Sequence, residues 1–560
     1  MKYKRAFAFI LSGALSLLAV ASISGQRPET SRTPTIAEIT GDLADAVTLI
    51  RANYGGKKAV DYNAVFKSSI TKMLQSLDPH SYYLDIKEDQ ERTTKDNSIF
   101  YGIGATLGEL RTEDGKVSAT YFLAPVAGSP AHRAGIVYGD KIVEINGTSS
   151  IGKSSDEVRT LLRGAKGTTV SVTVERLANN EHKTFEIVRD AVPDPSISQA
   201  YMLQPGTGYI AMRGGFRATT SDEFIRALTK LESEGLEELI VDLRDNPGGL
   251  VDQSVKVAAC LLENHQVVLR TEGRTVNGPA ANREVVNDGP LYTGPIVVLV
   301  NGNTASAAEI LTGALQDHDR ALVVGDRTYS KGLILMGLPL PYGSRLWLAV
   351  TQYESPSGRL MQRDYVPGEV YDYLTKGGSF ASSGQLPAKA AVVVGKTDLG
   401  RPIYGGGGIT PDVISKPRTY NNQEIRTINK LLAASNAFAM ELAAGRVAGF
   451  ETYEVSGAPE FGHNLTPDDF EITEPLIASF KAFAAEKYHV SAAQVDAQRD
   501  IVTRSIRREL VTAKYGSETA RQVNDLFDDQ IKRALEVLPE AAELHDQRER
   551  SRSSSGQKDH

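Results

Sequence analysis

The stretch that decides the fold is Asn301-Gly-Asn-Thr-Ala-Ser-Ala-Ala-Glu-Ile-Leu311, which directly follows the apolar run Ile296-Val-Val-Leu-Val300. The run predicts a buried strand, and the pattern over residues 307–315 predicts a helix. Ser306 is therefore expected at a helix N-terminus, where free N–H groups and the helix dipole stabilise negative charge. That placement suits a serine that attacks a carbonyl and forms an oxyanion. Taken alone, the segment is better explained as a capping box of Ser306 and Glu309.

A second segment places a lysine at the start of an apolar strand. It reads Thr328-Tyr-Ser-Lys-Gly-Leu-Ile-Leu-Met336, and Lys331 lies 25 residues after Ser306. A lysine acts as a base only when neutral, so its pKa of about 10.4 must be brought close to neutrality. Burial against an apolar strand can lower the pKa in this way. The alternative is a lysine whose stem follows the strand while its amine reaches water.

A third segment combines a strand with a glycine turn. Asp242-Leu-Arg-Asp-Asn-Pro-Gly-Gly-Leu250 follows the apolar run 239–241. Its Pro-Gly-Gly sequence predicts a tight turn whose backbone can approach a ligand closely, because glycine has no side chain. An ordinary β-turn is the simpler reading of this segment by itself.

Together, these segments resemble the C-terminal processing (tail-specific) peptidases, an S41-type family of serine proteases. Their counterparts are the family's "NPGG" turn, "SASAxE" nucleophile turn and "GKG" lysine strand. Further similarities occur at Ser76-Leu-Asp-Pro-His80, Asp317-His-Asp-Arg320, Pro356-Ser-Gly-Arg359 and Gly408-Ile-Thr-Pro-Asp412, so that the resemblance covers roughly residues 36–420.

The resemblance implies a serine endopeptidase that needs neither metal nor cofactor. Ser306 would attack the scissile carbonyl, and Lys331 would take its proton. The N–H groups of Ala307 and of Gly248 or Gly249 would form the oxyanion hole.

One departure concerns the position four residues after the lysine. The family commonly has a glutamine there that orients the amine, and this chain has Leu335. We expect Leu335 to desolvate Lys331 without bonding it, which predicts an active but slower Ser–Lys dyad.

Two histidines are alternatives to the lysine as a base. His318 lies 12 residues beyond Ser306. If the helix between them is unbroken, this spacing corresponds to about 18 Å, and His318 cannot replace Lys331. His80 is expected to make a structural hydrogen bond.

Residues 99–190 resemble a PDZ domain. The segment Tyr101-Gly-Ile-Gly-Ala105 matches its carboxylate-binding loop, and Gly128-Ser-Pro-Ala-His-Arg-Ala-Gly-Ile136 and Gly139-Asp-Lys-Ile-Val-Glu-Ile-Asn-Gly147 match its body. The resemblance implies that polypeptides with nonpolar C-termini bind here by strand addition. An ordinary strand entry is the alternative. The predicted peptide-binding residues are Tyr101, Gly102, Ile103, Gly104 and Ala105.

The fold class is therefore multidomain α+β. Residues 1–24 carry Lys2, Lys4 and Arg5 before an apolar stretch, which predicts a signal peptide and an exported protein of the periplasm or cell envelope. An uncut anchor is the alternative. A helical element is expected at 36–90, a PDZ domain at 99–190, a crotonase-like α/β protease core at 196–420, a helical extension at 421–543 and a disordered tail at 544–560.

Composition limits the other function classes. The net charge of −7 does not favour a nucleic-acid partner. Cys260 is the single cysteine and sits in an apolar run, so burial is expected, and no cluster has zinc-ligand spacing. The sequence leaves open an inactive peptide-binding scaffold, a crotonase-type enzyme acting on an acyl-thioester, association with a membrane surface, a homo-oligomer and an adaptor.

Overall fold

The computed structural model describes residues 33–56, 58–275, 278–375 and 392–556. The predicted signal peptide lies outside the described residues. The chain divides into two compact units, one ending at Ser69 and one beginning at Ile70. The first contains helix α1 (Ile36–Asn53), which begins at a capping box of Thr35 and Glu38. Helix α2 (Tyr62–Gln75) contains the boundary between the units.

In the second unit, the PDZ-like part has an edge strand that pairs on one side among the described residues. Its five-stranded path runs in the order β3 (Ala105–Arg111), β4 (Val117–Pro125), β5 (Lys141–Ile145), β7 (Thr169–Glu175) and β8 (His182–Val188), and β6 (Thr148–Ser149) joins β5. Helices α4 (Pro130–Ala134) and α5 (Ser155–Leu162) accompany it, while β2 (Ile99–Gly102) pairs with β9 (Asp190–Pro193). Strand β3 therefore has one partner, β4.

The sheet that carries the nucleophile turn is mostly parallel. Its order is β10 (Gln199–Gln204), β11 (Thr207–Ala211), β12 (Glu238–Asp242), β15 (Ile296–Val300), β16 (Leu322–Gly325) and β21 (Val413–Ile414). Only β10 is antiparallel to its neighbour. Helices α6 (Thr220–Ser233), α7 (Val251–Ala259) and α8 (Ala307–Asp317) share a buried apolar cluster with this sheet. Near-continuous apolar strands such as β15 fit a sheet covered on both faces.

An antiparallel sheet carries the strand that follows the lysine. Strand β17 (Leu333–Pro339) pairs with β18 (Arg345–Glu354), which also pairs with β1 (Tyr82–Leu84) and β13 (Val267–Thr275). Strand β14 (Gly278–Val285) completes this sheet. Helix α3 (Ile86–Asp96) follows β1, helix α9 (Val370–Thr375) follows β18, and β19 (Val393–Lys396) pairs with β20 (Pro402–Tyr404).

The C-terminal helices contact both the PDZ-like part and the protease core. They are α10 (Asn422–Ala443), α11 (Glu474–Tyr488), α12 (Ala492–Ala497), α13 (Arg499–Asp525), α14 (Asp529–Glu536) and α15 (Leu538–Gly556), with a 3₁₀ turn at Glu451–Tyr453. Glu509 accepts hydrogen bonds from Tyr121 Oη (3.1 Å) and Tyr138 Oη (3.0 Å) of the PDZ-like part. Asp525 accepts bonds from the core residues Gln199 (2.6 Å) and Tyr201 (2.9 Å).

The prediction of a disordered tail over 544–560 is wrong for residues 544–556. Helix α15 continues to Gly556, and residues 557–560 lie outside the described residues. Ala541 and Leu544 are buried against the central sheet, and Arg548 Nη2 donates to Glu263 Oε1 at 3.1 Å. Most residues of this segment are charged or polar, but a few apolar residues among them form a narrow stripe that packs on the core. In the described ranges, no helix has the length and apolar content needed to span a membrane.

We expect Leu544→Ala to lower the free energy of unfolding by about 2–3 kcal/mol, because it leaves a cavity under α15. The matched control is Leu526→Ala, whose side chain is 51% exposed, compared with 8% for Leu544. Chemical denaturation of both variants measures the difference. Equal, small effects would show that the tail does not pack on the sheet.

Candidate active site

The candidate nucleophile sits in a strained turn between β15 and α8. Ser306 has φ 56° and ψ −119°, a left-handed φ that residues other than glycine rarely adopt. The turn is held by Ala305, whose N–H donates to the Asn246 carbonyl at 2.9 Å. Such strain is found where surrounding contacts fix a functional side chain. The sequence placed Ser306 correctly at the start of a helix.

One buried carboxylate connects this turn to the lysine segment. Glu309 Oε2 accepts bonds from the N–H groups of Ser306 and Lys331, both at 2.9 Å. Its Oε1 accepts bonds from the Ser330 N–H at 2.8 Å and from Thr328 Oγ1 at 2.6 Å. Glu309 is fully buried, and burial raises the pKa of its carboxyl. It therefore does more than cap α8.

A tyrosine hydroxyl adds a second connection. Tyr353 Oη lies 3.0 Å from the Ser306 carbonyl oxygen and 2.6 Å from that of Lys331. Tyr353 is buried on β18, and burial raises the pKa of its hydroxyl. The two predicted catalytic residues are thus neighbours in space.

The environment of Lys331 destabilises its ammonium form. Burial lowers the pKa of Lys331, and the positive charge of Arg92 lowers it further, while Glu309 and Asp78 act in the opposite direction. The guanidinium of Arg92 lies 3.9 Å from the ring centre of Trp347. Within the described part of the chain, the Lys331 amine makes no ion pair.

The glycine turn after β12 packs directly against Ser306. A Cβ on Gly248 would lie 2.7 Å from Ser306 Cβ and 2.8 Å from the Ala307 nitrogen, and its φ is +87°, so this position requires glycine. The Gly248 N–H already donates to Asn246 Oδ1 at 2.9 Å. Among the hydrogen bonds of the described residues, none uses the N–H of Gly249 or Ala307.

The two histidines have different surroundings. His80 Nε2 lies 2.9 Å from Tyr373 Oη, and burial, followed by the charges of Lys331 and Arg363, lowers the pKa of His80 to about 3. It is therefore neutral at physiological pH and makes the structural hydrogen bond expected of it. His318 ends α8 and contacts Asp398.

The outcome at Leu335 depends on a bulge in the strand. The register of β17 against β18 shifts between Ile334 and Leu335, which breaks the regular alternation of side chains between the two faces of the strand. The slower dyad remains a prediction.

The predicted peptide-binding segment leads into β3, the edge strand of the PDZ-like sheet. Ile103 and Gly104 connect β2 to β3. Their carbonyls accept bonds from the N–H groups of Ala131 (2.8 Å) and Val126 (2.9 Å). Tyr101 and Gly102 belong to β2, and Ala105 starts β3.

Sequence reasoning missed three residues of the site. Glu309 was recognised only as a cap, although the Ser306-x-x-Glu309 spacing gave a signal for it. Tyr353 and Arg92 lie in no motif. Only the folded chain brings Tyr353 Oη to the Lys331 carbonyl and the charge of Arg92 near enough to lower the pKa of Lys331.

Known protein families match two parts of this chain. The model of peptidase family S41 matches residues 206–371, and the PDZ domain model matches residues 121–176. The carboxy-terminal-processing protease of Bartonella bacilliformis is 32% identical over 305 residues, which cover 54% of this chain and 68% of that protein. This chain belongs to the carboxyl-terminal-processing proteases of family S41.

The chain is also similar to further proteins. The carboxyl-terminal-processing protease of a Picosynechococcus species is 32% identical over 320 residues, covering 55% of this chain and 75% of that protein. Among solved structures, the photosystem II D1 C-terminal processing protease is 26% identical, with a TM-score of 0.32, and covers 67% of this chain and 87% of that one. The expected family, serine-type peptidase activity and multidomain fold are confirmed.

We expect Glu309→Gln in this processing protease to reduce kcat/KM by about 100-fold, because its amide group would face donors and displace both loops. Stability should fall by about 1–3 kcal/mol. Hydrolysis of an unstructured protein and chemical denaturation measure the two effects. The matched control is Glu157→Gln, which alters the capping box of α5. An unchanged rate of hydrolysis in Glu309→Gln would show that Glu309 only caps α8 and does not position the catalytic residues.

Proposed function

We propose that this processing protease cleaves peptide bonds with Ser306 as nucleophile and Lys331 as general base. One observation carries the proposal: Glu309 accepts hydrogen bonds from both the Ser306 turn and the Lys331 segment, and Tyr353 Oη lies within hydrogen-bond distance of a carbonyl of each. The lowered pKa of Lys331 supports its role as a base, since a base must be neutral before it accepts a proton.

In the first step, Ser306 Oγ attacks the scissile carbonyl carbon while Lys331 Nζ takes the hydroxyl proton. The carbonyl oxygen becomes an oxyanion. It would accept bonds from the N–H groups of Ala307 and Gly249, since the Gly248 N–H is already used by Asn246. The ammonium of Lys331 then returns the proton to the leaving amine as the peptide bond breaks. An acyl-enzyme on Ser306 remains.

In the second step, Lys331 takes a proton from water, and the resulting hydroxide attacks the acyl carbon. The ester bond to Ser306 Oγ breaks, and the proton returns from Lys331 to that oxygen. The products are a new C-terminal carboxyl group and the regenerated enzyme.

The proposed substrates are exported polypeptides that are cleaved near nonpolar C-termini in the periplasm or cell envelope. A PDZ domain implies peptide binding, and β3 offers a sheet edge on which an extended peptide can form main-chain hydrogen bonds. The tail would enter beside the loop of Ile103 and Gly104. Its upstream residues would reach Ser306.

A catalytically impaired peptide-binding scaffold is the second candidate. Leu335 favours it, because leucine cannot hydrogen-bond the Lys331 amine. Hydrolysis by the unaltered chain that disappears in Ser306→Ala would exclude this scaffold.

We expect Ser306→Ala and Lys331→Ala each to lower the hydrolysis rate of an unstructured protein by at least about 1,000-fold. Each removes a group that takes part in bond breaking. The matched controls are Ser233→Ala and Lys256→Ala, two exposed residues on helices of the core, and both should retain the full rate. Hydrolysis by Ser306→Ala at the unaltered rate would end the proposal.

The pH dependence should respond to Arg92. Its positive charge disfavours the Lys331 ammonium, so Arg92→Gln should raise the pKa of Lys331 and move the rising limb of the pH–rate profile to higher pH. At pH values below the pKa of Lys331, each unit by which this pKa rises should lower the rate about tenfold. Arg92→Lys keeps the charge and should keep the limb near its original position. A limb that does not move in Arg92→Gln would contradict this electrostatic role.

A further inference from the structure

The two peptide planes that flank Lys331 are both held by side chains. Before the lysine, its own N–H donates to Glu309 Oε2 at 2.9 Å. After the lysine, its carbonyl oxygen lies 2.6 Å from Tyr353 Oη, and the N–H of Gly332 donates to Gln362 Oε1 at 2.9 Å. Holding both planes fixes φ and ψ of Lys331, because these are the two soft dihedrals of its backbone. The direction in which the lysine side chain leaves the backbone is therefore set.

Gln362 also packs directly against the lysine segment. A Cβ built on Gly332 would lie 2.4 Å from the Gln362 nitrogen and 3.0 Å from its Cα and Cβ. Position 332 must therefore be glycine for Gln362 to come this close. The next residue, Arg363, donates its N–H to the Ser330 carbonyl at 3.4 Å. Residues 362–363 thus lie alongside residues 330–332.

The amide of Gln362 is held at its other end as well. Its Nε2 donates to the Arg363 carbonyl and to Tyr373 Oη, both at 2.9 Å. Tyr373 is a buried residue of α9, and its Oη lies 2.9 Å from His80 Nε2. The atom that faces Gly332 must be the amide oxygen, because an N–H group needs an acceptor. Gln362 therefore cannot turn without losing a hydrogen bond.

The Lys331 amine lacks a side-chain partner that could aim it. Leu335 has no hydrogen-bonding group, and within the described ranges no hydrogen bond from the amine is found. His80 is close enough for the charge of Lys331, after burial, to contribute to its low pKa of about 3, so its imidazole is neutral at physiological pH. The position of the amine consequently depends on the backbone from which its side chain starts.

We propose that Gln362 is a positioning residue for Lys331, holding the Lys331–Gly332 peptide so that the amine is directed at Ser306 Oγ. This inference rests on the proposed role of Lys331 as general base. Glu309 and Gln362 have complementary tasks, since Glu309 holds the peptide before the lysine and Gln362 holds the one after it. Because Gln362 acts through the backbone of the base, its loss slows the chemical step and leaves substrate binding in place.

Gln362→Met keeps the length of the side chain and removes the acceptor for the Gly332 N–H. For hydrolysis of an unstructured protein, we expect kcat to fall about 30-fold, while KM changes by less than about twofold. Chemical denaturation gives the folded fraction of each variant, by which the rates are corrected. The matched control is Gln352→Met, the same exchange at an exposed position of β18, which should keep the full kcat. A full kcat in Gln362→Met, or a loss confined to KM, would overturn the role of Gln362.

Gln362→Glu separates positioning of the base from general support of the fold. It keeps an acceptor for the Gly332 N–H, so the plateau of the pH–rate profile should stay within about threefold of the original. The new negative charge favours the Lys331 ammonium, partly offset by the Arg363 guanidinium, which lies 4.0 Å from the Tyr373 ring centre. The rising limb should therefore move to higher pH. Equal losses in both variants, or a limb that stays in place, would show a structural role alone and overturn the proposal.

A double variant distinguishes this inference from the proposed function. Adding Gln362→Met to Lys331→Ala should lower the residual rate no further, because no amine is left to position. An additional loss of the same size as in the single variant would overturn the role of Gln362. A full rate in Lys331→Ala would overturn the proposed base and this inference with it. Loss of the rate in Lys331→Ala together with a full rate in Gln362→Met would overturn the role of Gln362 and leave Lys331 as the base.

Discussion

The carboxylate of Glu309 is the contact on which the arrangement of the site depends. It is buried and accepts bonds from the Ser306 turn and from three residues of the 328–331 segment. A buried carboxylate is stable only when its oxygens are well bonded. The dependence is mutual, because each of these donors would lack a hydrogen-bond acceptor without the Glu309 carboxylate. Serine and lysine are positioned relative to each other by this mutual need, and Tyr353 reinforces the arrangement from β18.

Much of the fold and the main site residues could be predicted from the sequence, because their signals are local. The apolar run before Asn301 indicated β15, and the cap spacing at Ser306 indicated the start of α8. The Pro-Gly-Gly turn indicated a close backbone approach, and the structure shows Gly248 against the serine. Each of these depends on residues close together in the chain.

Contacts between distant segments could not be predicted in this way. Tyr353 reaches Ser306 because β18 pairs with β17. Arg92 lies on the helix after β1, and its charge acts on the pKa of Lys331 because β1 adds to the same sheet. Neither pairing has a signature in local spacing. The prediction for the C-terminal tail was wrong for another reason. Its charged composition resembles disorder, while a few apolar residues, including Leu544, are enough to attach α15 to the core.

The C-terminal helices limit how the PDZ domain can move. Helix α13 bonds that domain through Glu509 and the protease core through Asp525, and both acids are nearly inaccessible to water. Any rotation of the domain away from the core must strip partners from at least one of these carboxylates, at a cost of several kcal/mol for an unpaired buried charge. These bonds therefore oppose free rotation of the PDZ-like part. Helix α13 fixes the distance between the edge strand β3 and Ser306, so a polypeptide held at both places, as proposed, would need a set number of residues between them.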